Sequence, residues 1–129
     1  MDKGKNELTV VTRAKDLCSY IMTVTQKCPK NFRYTYVSRL QNLAMDVIEN
    51  IFRANDTFVS KGDARTYNIR LEFQHKALTD LKLLAYFSLL AMEQKCILPK
   101  QFEQISRMAT DCQNLLGAWI ISDKRRFGF

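Results

Sequence analysis

Apolar positions recur along this chain at alternating steps of three and four, the spacing that lines one face of an α-helix. In the first such segment Val10, Ala14, Leu17, Ile21, Val24 and Cys28 step by 4, 3, 4, 3 and 4. Thr9 or Thr12 is placed to cap its start. Pro29 ends it, because the residue before a proline avoids the helical region. A second segment carries Tyr36, Leu40, Leu43, Val47 and Ile51, with Ala44, Ile48 and Phe52 widening the stripe. It fades near Phe58, ahead of Ser60-Lys61-Gly62-Asp63. Gly62 is the clearest breaker between Pro29 and Pro99, and Asp63 is a candidate N-cap for the third helix.

The third segment carries Tyr67, Leu71, Leu78, Leu81, Ala85 and Met92. Glu72 with Lys76, and Lys76 with Asp80, are i,i+4 pairs on its outer side. From Leu83 to Met92 the chain is apolar almost all round, which a helix buried on one face does not need. Two readings remain: a helix central in its bundle, or a second buried face formed by oligomerisation. Pro99 suits a first helical turn. After it Phe102, Ile105, Ala109, Cys112, Leu116 and Trp119 form the cleanest seam in the chain. Gly117 interrupts that helix, marking either a close approach of a neighbour or a tolerated defect. The end, Lys124-Arg125-Arg126-Phe127-Gly128-Phe129, is too short and charged to pack fully. The pattern predicts four helices over about 9–28, 35–59, 63–95 and 99–122, and one all-α, antiparallel, up-down-up-down four-helix bundle.

Composition agrees with a single domain. The 129 residues, 47% apolar and 26% charged, suffice to bury about two thirds of the unfolded surface. Four Gly and two Pro are too few for the turns of a β-sandwich. The first sixteen residues hold no apolar core of a secretory signal, and no stretch is long enough to span a membrane. The chain is therefore expected in the cytoplasm. Cys18, Cys28, Cys96 and Cys112 show no C-x-x-C and no pairing with the single His75 at zinc-ligand spacing. They read as free thiols, and His75 as a solvated or partly covered helix residue. No phosphate-cradling glycine loop, H-E-x-x-H, G-x-S-x-G or E-x-x-H occurs, so neither an enzyme nor a cofactor or small-molecule substrate is expected.

Charge changes the picture. Twenty Lys and Arg against 13 Asp and Glu give a net charge of +7. Between Leu17 and Met45 there is no acid, while Lys27, Lys30, Arg33 and Arg39 contribute four positive charges. Lys124, Arg125 and Arg126 crowd the other terminus. In an up-down-up-down bundle these clusters lie at opposite ends, so only an oligomer would join them. They read either as contacts to RNA phosphates or as solvated bases complementing helix C-termini. Aromatic residues are interleaved with them in Phe32-Arg33-Tyr34-Thr35-Tyr36 and Arg126-Phe127-Gly128-Phe129, mixtures that can stack unpaired bases. Tyr36 sits in a seam. Tyr34 and Phe127 are the freer residues, with packing the competing role.

Three motifs carry a resemblance to a family of small bacterial four-helix bundles. Cys28-Pro29-Lys30-Asn31-Phe32-Arg33-Tyr34 resembles that family's F-P-K-x-x-R-Y at the start of the second helix. Leu98-Pro99-Lys100-Gln101-Phe102 resembles its start of the fourth, and Leu115-Leu116-Gly117-Ala118-Trp119-Ile120 its terminal L-G-x-W-[IL] signature. The likeness covers the chain from about Leu17 to Lys124. The family includes proteins encoded in intervening sequences of large-subunit ribosomal RNA genes. It also includes the accessory variability determinants (Avd) of diversity-generating retroelements, which the basic tail after Trp119 resembles more.

That resemblance implies a ring-shaped homopentamer. It also implies a non-catalytic protein that binds a reverse transcriptase and its template RNA or cDNA and supports mutagenic reverse transcription. The other branch would imply a structural or interaction module of undefined activity. Residue by residue, Lys30 and Arg33 match the basic positions of the first motif. Lys82 in Leu81-Lys82-Leu83-Leu84 matches the first base of an L-R-x-L-L-R pattern, where Tyr86 replaces the second. Gly117 and Trp119 match positions read as packing. The candidate binding residues are thus Lys27, Lys30, Arg33, Lys82, Lys124, Arg125 and Arg126.

Overall fold

The computed structural model describes residues 3–129, with side chains from Thr9 onward. Four helices carry the fold: α1 (Lys3–Thr25), α2 (Ser38–Asp56), α3 (Ala64–Glu93) and α4 (Pro99–Arg126). No strand occurs among the described residues. Each helix packs on its neighbours in sequence, and α1 also packs on α4, closing a four-helix bundle. The seams meet at its axis, where Leu17, Ile21, Leu40, Ile51, Leu116 and Trp119 are buried. α1 starts earlier than the periodicity predicts, so Thr9 and Thr12 lie inside it and do not cap it.

The punctuation follows the chemistry of single residues. Gly62 adopts φ +86° in the α2–α3 link, a conformation that glycine takes without strain. Asp63 then caps α3, its Oδ1 accepting from the Thr66 amide at 3.2 Å. Pro99 occupies the first turn of α4, and the Gln101 Oε1 turns back to accept from the Leu98 amide at 2.8 Å. The end of α3 closes without glycine. Lys95 takes φ 64° while its amide donates to Met92 O and the Cys96 amide to Ala91 O, a Schellman cap.

On α3 the seam differs from the one expected. The buried residues are Tyr67, Arg70, Gln74, Ala77, Leu81, Leu84, Ser88 and Ala91, a strict alternation of three and four with three polar members. Leu71, Leu78, Ala85 and Met92 flank it, half-buried. Nor is α3 central. It lies between α2 and α4, leaving Leu83 40% and Tyr86 59% exposed. A central position therefore does not account for the apolar run Leu83–Met92.

On α4 one of the two readings of Gly117 falls away, and the expectation about the terminal segment is corrected. A Cβ built on Gly117 meets nothing within 4 Å, so no neighbour approaches closely there. The terminal segment also packs. α4 continues to Arg126 and ends in a second Schellman cap, with Gly128 at φ 81° and the Phe129 amide donating to Lys124 O at 2.9 Å. Phe127 is thereby buried, and Phe129 stacks on Tyr67 with ring centroids 4.5 Å apart. The ends of α2 and α4 and the start of α3 thus share one end of the bundle. The opposite end holds the α1–α2 and α3–α4 links, which bring the Cys28 and Cys96 thiols beside each other.

Candidate nucleic-acid interface

The acid-free stretch forms the α1–α2 link and its flanks. α1 ends at Thr25, whose hydroxyl donates back to Ile21 O at 2.7 Å and accepts from Gln41 Nε2 at 2.9 Å, tying α2 to α1. Pro29, extended at ψ 142°, turns the chain into a 3₁₀ turn, Lys30–Phe32. A π-helical turn comes next, Arg33–Val37, in which the Ser38 amide reaches back to Arg33 O. The expected regular helix from residue 35 is therefore not how α2 begins. Phe32 and Tyr36 pack at 5.9 Å beneath this segment, while Lys27, Lys30, Arg33 and Tyr34 are exposed. Lys30 and Arg33 line a shallow groove of about 300 Å³ with Thr25, Cys28, Pro29 and Val37. Three cations without a neighbouring acid in the chain suit an anionic backbone better than a fixed ion pair.

A second concavity, about 650 Å³, opens on the other side of the same turn, between α2 and α3. Tyr34 and Tyr36 close one end. Arg39, Asn42 and Asp46 line the α2 side, and Phe87 faces them from α3. The Arg39 guanidinium lies over the Phe87 ring, 5.4 Å from its centroid.

The remaining candidate bases fall elsewhere. Lys82 is exposed on α3. Lys124, Arg125 and Arg126 lie at the opposite end from Lys30 and Arg33, so one chain does not unite the two clusters. Arg126 is also engaged within the bundle: its Nη2 donates to Asp123 Oδ1 at 3.0 Å, and its guanidinium covers the Phe127 ring at 4.4 Å. Phe127, expected to be one of the freer stacking residues, is buried beneath it; Tyr34 is the free one.

The apolar pattern gave no notice of the polar cluster under that end. Arg70 donates from Nε and Nη2 to Asp123, and from Nη1 to Ala54 O at 3.1 Å. Gln74 Nε2 donates to Asp123 Oδ2 at 2.8 Å. The guanidinium also lies 5.1 Å from the Trp119 ring centroid. Burial, and then the Asp123 charge, push the Tyr67 phenol above its ordinary value. The cluster has no opening to solvent and reads as architecture. The detectable signal was the strict three-four spacing that carries Tyr67 through Arg70 and Gln74 to Ala77, and Trp119 on to Asp123.

The cysteines are four free thiols. Burial first, then the hydrogen bond with Cys28, push Cys96 up to about 12, and burial pushes Cys112 up to about 11. Among the described residues no group of three His, Cys, Asp or Glu could hold a metal ion, and no helix is long and apolar enough to cross a membrane. His75 is exposed.

No protein-family model matches this chain, and no curated protein does. Among solved structures, it is similar to a Bacteroides thetaiotaomicron protein of unknown function from the S23 ribosomal protein family. The TM-score is 0.73 at 15% identity, over 93% of this chain and 98% of that one. At that identity the likeness is one of fold.

Proposed function

We propose that this chain is a non-catalytic accessory protein of a diversity-generating retroelement. It binds the template RNA or cDNA through phosphate contacts and holds the reverse transcriptase that copies it. The observation that carries the reading is the exposed pair Lys30 and Arg33. They stand side by side on an irregular helical turn, in a region whose sequence holds no acid between Leu17 and Met45. The motifs around Pro29, Pro99 and Trp119 support the family resemblance, and the basic tail after Trp119, which resembles the Avd branch more, supplies the retroelement context. Self-association into a ring would cover the exposed Leu83 and Tyr86 and repeat the +7 charge around one axis, concentrating a positive field.

The neighbour's membership of a ribosomal protein family favours a second reading, a structural or interaction module from the ribosomal-RNA intervening-sequence branch. Gene neighbourhood separates the two: a reverse transcriptase gene beside paired template and variable repeats supports the retroelement role. The biochemical test is reconstitution. Template-primed cDNA synthesis by the neighbouring reverse transcriptase should rise when this protein is added, and the two should co-purify as an oligomer. Unchanged synthesis with no co-purification would overturn the assignment.

A further inference from the structure

The concavity between α2 and α3 has the chemistry of a nucleobase site. We infer that it takes an unpaired base, guanine best, from a single strand whose phosphates run along Lys30 and Arg33. This inference rests on the proposed nucleic-acid binding and adds the part of the strand that this protein recognises.

Tyr34 is 85% exposed, the most solvent-accessible aromatic residue described, although it belongs to a regular π-helical turn. Nothing in the bundle uses its face. It lines the concavity together with Tyr36 and with Phe87, whose ring lies beneath the Arg39 guanidinium. An exposed tyrosine, a phenylalanine and an arginine plane are the surfaces on which bases stack. The volume of about 650 Å³ is open enough to admit a base with its sugar.

Polarity decides which part of the nucleotide enters. Arg39, Asn42 and Asp46 succeed one another at steps of three and four on α2, so one face of that helix forms the polar wall. The Asp46 carboxylate repels phosphate, so the backbone stays outside with Lys30 and Arg33, whose groove adjoins the same π-helical turn. A carboxylate only accepts hydrogen bonds. Guanine offers two adjacent donors on its Watson–Crick edge, N1–H and the N2 amino group, which a carboxylate accepts together. Uracil offers a single donor there, flanked by carbonyl oxygens that the carboxylate repels. Asn42, four residues before Asp46, donates one Nδ2 hydrogen to Ser38 Oγ at 3.3 Å and has the second for the guanine carbonyl.

The test uses the intact protein and three equal-length single strands: oligouridylate, the same strand with one central guanosine, and an abasic phosphodiester strand. Affinities should rank guanosine strand, oligouridylate, abasic strand. Tyr34→Ala should weaken binding of the two base-bearing strands about 5- to 150-fold, the range for loss of one stacked base, and leave the abasic strand unchanged. Asp46→Asn should abolish the guanosine preference without weakening oligouridylate. Both residues are exposed, so circular dichroism should match the parent protein. Equal affinity for abasic and base-bearing strands would overturn the base site while leaving the phosphate contacts intact. A guanosine preference that survives Asp46→Asn would remove guanine recognition from this wall. Failure of all three strands to bind would overturn this inference and the proposed nucleic-acid binding together.

Discussion

Arg70 on α3 and Asp123 on α4 form a fully buried, two-bond ion pair: Nε to Oδ2 at 2.6 Å and Nη2 to Oδ1 at 3.2 Å, with each side chain within 2% of complete burial. Gln74 and Arg126 add two more donors to the same carboxylate, and Arg70 also satisfies the Ala54 carbonyl at the end of α2. Three helices therefore meet on one charged cluster, and its partners are mutually required. Removing one member leaves the other charge buried, which costs more than the pair contributes.

Arg70→Met is accordingly expected to destabilise the fold by about 3–5 kcal/mol, the usual loss when one partner of a buried pair is removed. Adding Asp123→Leu should restore part of that loss, because the stranded carboxylate is gone. Urea unfolding of the single and double variants measures both. A loss below about 1 kcal/mol in the single variant would show that Asp123 is adequately held by Gln74 and Arg126 alone.

Gly117 gives a prediction of opposite sign. It sits inside α4 with open space where a Cβ would stand. Gly117→Ala should raise stability by about 0.5–1 kcal/mol through the lower conformational entropy of the unfolded chain. A destabilised protein in thermal melts would mean that a neighbouring subunit closes on this position.

Asp80 supplies a pH signature. Burial raises its carboxyl above the ordinary value, against the lowering by the hydrogen bond from Asn50 at 3.0 Å, and Asp46 raises it further. A raised value means the folded protein holds this proton more tightly than the unfolded chain. The group's contribution to stability is thus greatest in acid and falls as pH climbs through the window above the ordinary carboxylate value. Asp80→Asn keeps an acceptor for Asn50 and never ionises. It should raise the urea midpoint at pH 7 and have no such effect near the acid end of that window. A lower midpoint at pH 7 would contradict the assignment.

The apolar alternation carried the number of helices and the positions of their links, because burial of one face imposes that spacing on any amphipathic helix. It was less informative where polar residues joined the seam. Arg70, Gln74 and Asp123 fall in register with Tyr67, Ala77 and Trp119, yet residue type alone assigns them to the surface. The beginning of α2 was illegible for a different reason: Tyr36 and Leu40 fit an α-helical stripe, and that spacing carries no mark of the π-helical turn Arg33–Val37 that presents Tyr34. Asp63 and Gly62 were readable because cap and turn chemistry is local. The basic stretch was equally plain, whereas Phe87 and Asp46, which complete the concavity beside it, come from pairing α2 with α3.

The central claim is that phosphate contacts at the α1–α2 link bind nucleic acid. The most direct measurement is the affinity for single-stranded RNA across a salt series, for the parent protein and for Lys30→Ala with Arg33→Ala. Log affinity should fall linearly with log salt concentration at about −0.7 per phosphate neutralised, so the double variant should bind more weakly and show a slope shallower by about 1.4. Its circular dichroism should be unchanged, because both side chains are exposed. Identical affinity and slope in parent and variant, or affinity indifferent to salt, would contradict the account.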